Sequence, residues 1–173
     1  MKLQDIRERT CYDANALPTQ KAAARAWLTS LSSAYPIALT LTLKQTVAVN
    51  TTVGSYKRRL VRDDCDRIAK RFTQKLNREV FGNAADRYGK ALKYLIVVEG
   101  ERSCKNLHLH IAIGALPKHV RFNQIEALVV NAKAHVEEID EQYKIALTDS
   151  GWLEYICKEL GAKDTDNVLW ALA

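Results

Sequence analysis

The sequence is short of the residues that punctuate or staple a chain. Only seven glycines and three prolines occur in 173 residues, too few for long linkers. The four cysteines, Cys11, Cys65, Cys104 and Cys157, stand far apart and form no CxxC pair. They read as reduced thiols of a cytosolic protein, not as a disulfide framework or a zinc site. No apolar run is long enough to span a bilayer, so no membrane partner is expected. The opening residues, MKLQDIRERTCYDA, lack the apolar core of a secretory signal, which fits a cytoplasmic location. No internal repeat, low-complexity tract or GxxxxGK[ST] nucleotide-binding loop occurs.

What is present suits one compact domain over 1–173 with a full hydrophobic core. Hydrophobic residues make up 47% and charged residues 27%, ordinary for a globular chain. The net charge of +6 is unevenly spread. Residues 1–80 carry 15 Lys and Arg against 7 Asp and Glu, whereas 81–173 carry 11 against 13. One basic surface built for a polyanion is the expectation.

Local patterns give an element order. Residues 18–33 read as a helix, with Pro18 early and an Ala-rich centre. Residues 35–44, YPIALTLTLK, alternate as a strand. A polar loop, QTVAVNTTVGSYKRR, is expected next, then a long amphipathic helix near 58–80. Its apolar stripe is Leu60, Val61, Cys65, Ile68, Phe72, Leu76 and Val80. Its other faces carry Arg59, Arg62, Arg67, Lys70, Arg71, Lys75 and Arg78. After a loop, FGNAADRYGK, strands at 91–100 and 106–114 form a hairpin. A helix at 121–134, a strand at 135–143 and a helix at 150–161 ended by Gly161 follow. This β-α-β-β-α-β order predicts an α+β fold with a ferredoxin-like antiparallel sheet, the split βαβ arrangement. Helices would cover one face, with an appended C-terminal helix and a core over about 35–161. Fold alone leaves function open.

Chemistry concentrates in NLHLHIAIG, residues 106–114. Strand side chains alternate with a period of two, so His108 and His110 point one way while Leu107, Leu109 and Ile111 face a core. Two neighbouring imidazoles can bind one divalent cation; the alternative is a pair of ordinary surface histidines on a half-buried strand. Glu99, at the end of the preceding strand, can complete a three-ligand site across the hairpin. Glu101, at the same parity and nearer the turn, is its rival. Such an open site suits Mg²⁺ or Mn²⁺ acting as a Lewis acid toward phosphate. Tyr155 and Lys158, in YICK, lie at i and i+3 on one helix face. A tyrosine hydroxyl can attack phosphorus. Its reference pKa is about 10, so ionising it near pH 7 costs roughly 4 kcal/mol, which the Lys158 ammonium would partly offset. A packed tyrosine on an amphipathic helix is the alternative.

Taken in order, these motifs resemble the HUH endonucleases, in particular the replication-initiator (Rep) branch of rolling-circle replicons. HLH at 108–110 matches the His-hydrophobic-His motif, ALTLTLK at 38–44 the first Rep motif, and YICK at 155–158 the nucleophilic Tyr followed three residues later by Lys. Glu99 corresponds to the acidic third ligand. The resemblance covers roughly residues 35–161. Relaxases of the superfamily carry their tyrosine before the histidines, and single-tyrosine transposases typically pair it with a glutamine, so Lys158 favours Rep. The resemblance implies a catalytic Tyr155 assisted by Lys158, and a metal, Mg²⁺ or Mn²⁺, on His108, His110 and Glu99. It implies nicking of single-stranded or hairpin origin DNA through a 5′-phosphotyrosine. Lys57, Arg58, Arg59 and Arg62 would contact the DNA backbone. A bacterial host's helicase and replication machinery would be partners, since no helicase motif follows; otherwise the chain is the N-terminal piece of something longer. The competing expectations are a single-tyrosine transposase, with the same chemistry, and a non-catalytic ferredoxin-like nucleic-acid-binding module. Against the last, the strands lack the closely spaced aromatics of a base-stacking sheet.

Overall fold

The computed structural model describes residues 32–100, 106–156, 167–169 and 172, together with 22–23, 26–27 and 30, which are helical within the expected 18–33 helix. Cys11, Glu101, Cys104, Cys157 and Lys158, and the last part of the expected 150–161 helix, lie outside the described residues. Cys65 is a buried free thiol.

Ten elements follow a short 3-10 turn at Ser32–Ala34. They are β1 (Ile37–Leu43), β2 (Thr46–Thr51), β3 (Gly54–Arg59), α1 (Arg62–Phe81), α2 (Asn83–Tyr88), β4 (Lys93–Glu99), β5 (His108–Gly114), α3 (Phe122–Ala134), β6 (Ile139–Leu147) and α4 (Ser150–Ile156). Four strands make an antiparallel sheet in the order β4-β5-β1-β6, while β2 and β3 pair as a separate two-stranded ribbon. The class is α+β, and this strand order is compatible with the ferredoxin-like arrangement. Among the described residues no helix is long and apolar enough to cross a membrane.

The alternation in β1 divides the sheet into two faces. Ile37, Leu39, Leu41 and Leu43 join the main core with Leu109, Ile111 and Ile113 of β5. Ile68, Phe72 and Leu76 of α1 and Ile125 and Val129 of α3 close over them. Each such side chain taken from water contributes about 1.5–3 kcal/mol. Tyr94 pins α1 to β4 from below, its hydroxyl donating to Asn77 Oδ1 at 2.8 Å. The opposite face carries Thr40, His108 and His110. There α4 packs in a smaller cluster of Tyr35, Leu95, Val97, Ala112, Ile156 and Val168, with Trp152 against it. Beyond β4, the Val98 N–H donates to the Asn167 carbonyl at 2.7 Å and the Leu169 N–H to Ile96 at 2.9 Å. Residues 167–169 thus cover an edge that would otherwise be exposed.

Four local expectations change. The polar loop of 45–59 is a ribbon closed by the two-residue turn Thr52-Val53. Consequently the long helix begins at Arg62 rather than near 58, because Lys57, Arg58 and Arg59 belong to β3. Its start is set by Asp64, whose carboxylate accepts the Val61 N–H at 3.0 Å. The expected loop after α1 contains the short α2, and the last strand runs 139–147 rather than 135–143. Residues 135–138 form the turn out of α3. Glu138 there is buried and held by Arg67 at 2.6 Å and Arg71 at 3.1 Å.

Candidate functional site

The open face of the sheet gathers the chemistry-bearing residues. In the register, Glu99 stands opposite His108, and Thr40 opposite both His110 on β5 and Lys144 on β6. Gly100 makes the first of these pairings possible. It sits at φ +103°, and a Cβ there would fall 2.4 Å from the Asn106 carbonyl oxygen, so only glycine allows the chain to leave β4 so close to β5.

A cavity of about 570 Å³ opens over this face. Its polar lining comprises Thr40, Glu99, His108, His110, Lys144 and Asp149, and Trp152 and Tyr155 descend into it from α4. His110 is the hub. It is 5% exposed, with Nδ1 3.0 Å from Thr40 Oγ1 and Nε2 2.5 Å from Glu99 Oε2. Glu99 is itself buried. The His108 ring lies nearly parallel to that of His110 at a centroid distance of 6.5 Å. Tyr155 meets His110 edge-on at 5.8 Å, and Trp152 does so at 6.5 Å. His108 is half-buried, whereas His110 is covered where α4 docks onto the sheet, so the two are not a pair of ordinary surface histidines.

Each nitrogen of His110 thus has a partner. With Thr40 accepting from Nδ1–H, Nε2 faces the Glu99 carboxylate, and a positive species between them is favourable: a proton on the imidazole or a metal ion. The donor set of two imidazoles and one carboxylate fits a divalent cation. Among the described residues, however, no trio of His, Cys, Asp and Glu side chains is already disposed around a metal-sized gap. Two ligands about 2.1 Å from one ion and at right angles to each other stand about 3 Å apart. The 2.5 Å contact of His110 with Glu99 is shorter than that and is a direct hydrogen bond. Compared with protein-family models, with curated proteins and with solved structures, the chain matches none.

Of the residues singled out in the sequence, Glu99, His108, His110 and Tyr155 come together. Lys57, Arg58, Arg59 and Arg62 do not line the cavity. Arg58 turns inward and clasps the buried Asp64 with both terminal nitrogens, at 2.7 and 2.5 Å. These bonds hold the Asp64 carboxyl well below the usual range despite its burial. Arg62 pairs with Asp66 at 3.2 Å, and Arg78 with Asp86 at 3.6 Å. Moreover, α1 packs on the sheet face opposite the cavity. Much of the positive charge counted in the sequence is thus consumed within the fold or turned away from the site.

Four cavity residues were not legible beforehand: Thr40, Lys144, Asp149 and Trp152. Thr40 and Lys144 share a face with the histidines only because β1 lies between β5 and β6, a long-range pairing. Asp149 accepts the Trp152 N–H at 2.6 Å and so begins α4. An Asp immediately before the expected helix at 150–161 is a helix-start residue type, the one local signal that could have found it.

Proposed function

We propose that the chain is a metal-dependent endonuclease that nicks and rejoins single-stranded DNA through a tyrosine nucleophile, as replication initiators of the HUH type do. The fold is then ferredoxin-like with α4 as the catalytic helix. The observation that carries this reading is the meeting of Tyr155, His110, His108 and Glu99 in one cavity, with the Tyr155 ring 5.8 Å from that of His110. A phenol beside two imidazoles and a carboxylate is an arrangement for transfer to phosphorus.

The residues divide the work. The Tyr155 oxygen attacks the phosphorus of a DNA phosphodiester and gives up its proton. The P–O3′ bond breaks, and the departing 3′ oxygen takes a proton to become a 3′-OH. One phosphodiester has been exchanged for another, so a returning 3′-OH can rejoin the strand without ATP. His108, His110 and Glu99 would hold a divalent cation, Mg²⁺ or Mn²⁺, which when bound would supply Lewis-acid stabilisation of charge on the phosphate oxygens. Thr40 fixes the orientation of His110. Lys144, an exposed ammonium lining the same cavity, can contact a bound phosphate. The ammonium that eases ionisation of Tyr155 is assigned in the sequence to Lys158, which lies outside the described residues. The 3′-OH left after nicking primes rolling-circle replication, with unwinding borrowed from a host helicase.

The test is incubation with a panel of single-stranded and hairpin origin oligonucleotides in Mn²⁺, followed by a denaturing gel. The expected result is a protein–DNA adduct that survives denaturation and disappears with EDTA. Tight DNA binding with no adduct on any substrate, in any divalent cation, would leave a non-catalytic binding module.

A further inference from the structure

The cavity floor has a rank of polar side chains, one from each of three neighbouring strands. His110 on β5 stands opposite Thr40 on β1, and Thr40 opposite Lys144 on β6. Neighbouring strands lie about 4.8 Å apart, so the Lys144 backbone is about 10 Å from that of His110. Beside this rank, Ala38 and Ala146 are cross-strand partners and also line the cavity, so no bulky side chain crowds Lys144 from that side. Among the described residues lining the cavity, Lys144 is the one lysine or arginine. It enters no ion pair among the described residues. Asp149 shares the cavity, but its carboxylate accepts the Trp152 N–H of α4.

The nicking step makes two proton demands. The Tyr155 oxygen loses a proton as it attacks, and the oxygen leaving on the far side of phosphorus needs one. Attacking and leaving oxygens lie roughly in line across the phosphorus, so one group beside Tyr155 cannot serve both. His108, His110 and Glu99 are committed to the cation, and the Thr40 hydroxyl is bonded to His110. Asp149 is an acceptor, and an indole N–H is too weak an acid. We infer that Lys144 is the general acid that protonates the departing 3′ oxygen. This rests on the nuclease reading and supplies the proton donor which that reading needs. A lysine ammonium has a proton to give at neutral pH, and its flexible four-carbon stem can carry that proton from β6 toward a phosphate held at His110. As the P–O3′ bond breaks, its electron pair stays on oxygen. One N–H proton passes to that oxygen, leaving a 3′-OH and a neutral amine. Water takes the proton released by Tyr155 and returns one to the amine, so nothing further is consumed. In rejoining, the neutral amine accepts the proton of the returning 3′-OH.

The experiment measures single-turnover adduct formation by the full chain on two oligonucleotides nicked at the same linkage. One is ordinary DNA; in the other, sulfur replaces the 3′ bridging oxygen of that linkage. A thiolate leaves without being protonated, so the sulfur substrate needs no general acid. Lys144→Ala should slow nicking of the ordinary strand by about 10²–10⁴-fold, the range for loss of a positioned acid. It should slow nicking of the sulfur strand by less than about tenfold. Lys144→Arg keeps the positive charge but gives up a proton far less readily, so it should remain slow on the ordinary strand and fast on the sulfur strand. Lys158→Ala, which acts on the attacking side, should slow both strands alike. Thermal melting should be unchanged in the Lys144 variants, since that side chain is exposed. Equal losses on the two strands in Lys144→Ala, or recovery of the ordinary strand in Lys144→Arg, would mean that Lys144 supplies charge alone, and would overturn the assignment while leaving the nuclease reading intact. No loss on the ordinary strand in Lys144→Ala overturns it too. Failure of the parent chain to form an adduct on either strand removes the nuclease reading and this assignment with it.

Discussion

His110 binds the site together through two contacts with different sequence origins. Its partnership with Glu99 was visible in the sequence, because a hairpin of two adjacent apolar strands brings the end of one against the start of the next. Its partnership with Thr40 was not, because β1 and β5 are separated by some 70 positions and nothing local states that they pair. Parity alone showed that His108 and His110 share a face, yet it could not show that α4 would bury one and leave the other half-exposed. That difference sets a prediction. His110→Ala removes a buried side chain hydrogen-bonded to both Thr40 and the buried Glu99, so it should lower stability by about 1–3 kcal/mol. His108→Ala should cost under about 1 kcal/mol, as expected for a partly exposed position without such a partner. Both should abolish any thermal stabilisation by Mn²⁺. Chemical denaturation with and without the metal checks all four outcomes, and equal stability losses in the two variants would mean that the Glu99 contact contributes nothing net.

At the scale of elements, the strongly periodic pieces were legible and the weakly patterned ones were not. β1, α1, β4 and β5 each bury a full face, so their hydrophobic period is unmistakable. The β2–β3 ribbon is exposed along much of its length and turns through Thr52-Val53, without the Asn-Gly or Asp-Gly signal of a tight hairpin. β6 was displaced by four residues because Glu138, which looks like a solvated charge, is buried between two arginines. The Arg58–Asp64 clasp helps to tie the ribbon to α1, and this makes stability depend on pH. The Asp64 carboxyl is held down by Arg58, so its contribution is fully present above the unfolded-state value of about 3.9 and is lost as pH falls toward the lower folded value. Glu138 is likewise lowered, by Arg67 and Arg71 against the opposing effect of its burial, and adds loss in the same acidic direction. Asp64→Asn should therefore cost about 1–3 kcal/mol at pH 7. The gap to the parent chain should narrow steadily below about pH 4. Urea denaturation across pH 3–7 tests this, and a gap that widens in acid would contradict it.

At the scale of the whole molecule, the sequence shows a basic half and a neutral half, and the fold redistributes that charge. Arg58 of β3 and the arginines of α1 neutralise Asp64, Asp66, Asp86 and Glu138 away from the cavity. The ribbon retains Lys57 and Arg59, and the cavity retains Lys144. Composition could report the excess but not which cations remain outward, since that depends on which acids each meets in space. The proposed account joins a cavity for one phosphate to Tyr155 on α4, the group that attacks it. Its central claim is the covalent link at Tyr155. The most direct measurement is mass-spectrometric peptide mapping of the adduct formed with a single-stranded oligonucleotide in Mn²⁺, with Tyr155→Phe alongside. The account predicts DNA attached through a 5′ phosphate to the peptide containing Tyr155, and no adduct from the phenylalanine variant, which keeps the ring against His110 but has no nucleophile. An adduct on Tyr143 or any other residue, or one that persists in Tyr155→Phe, would contradict it.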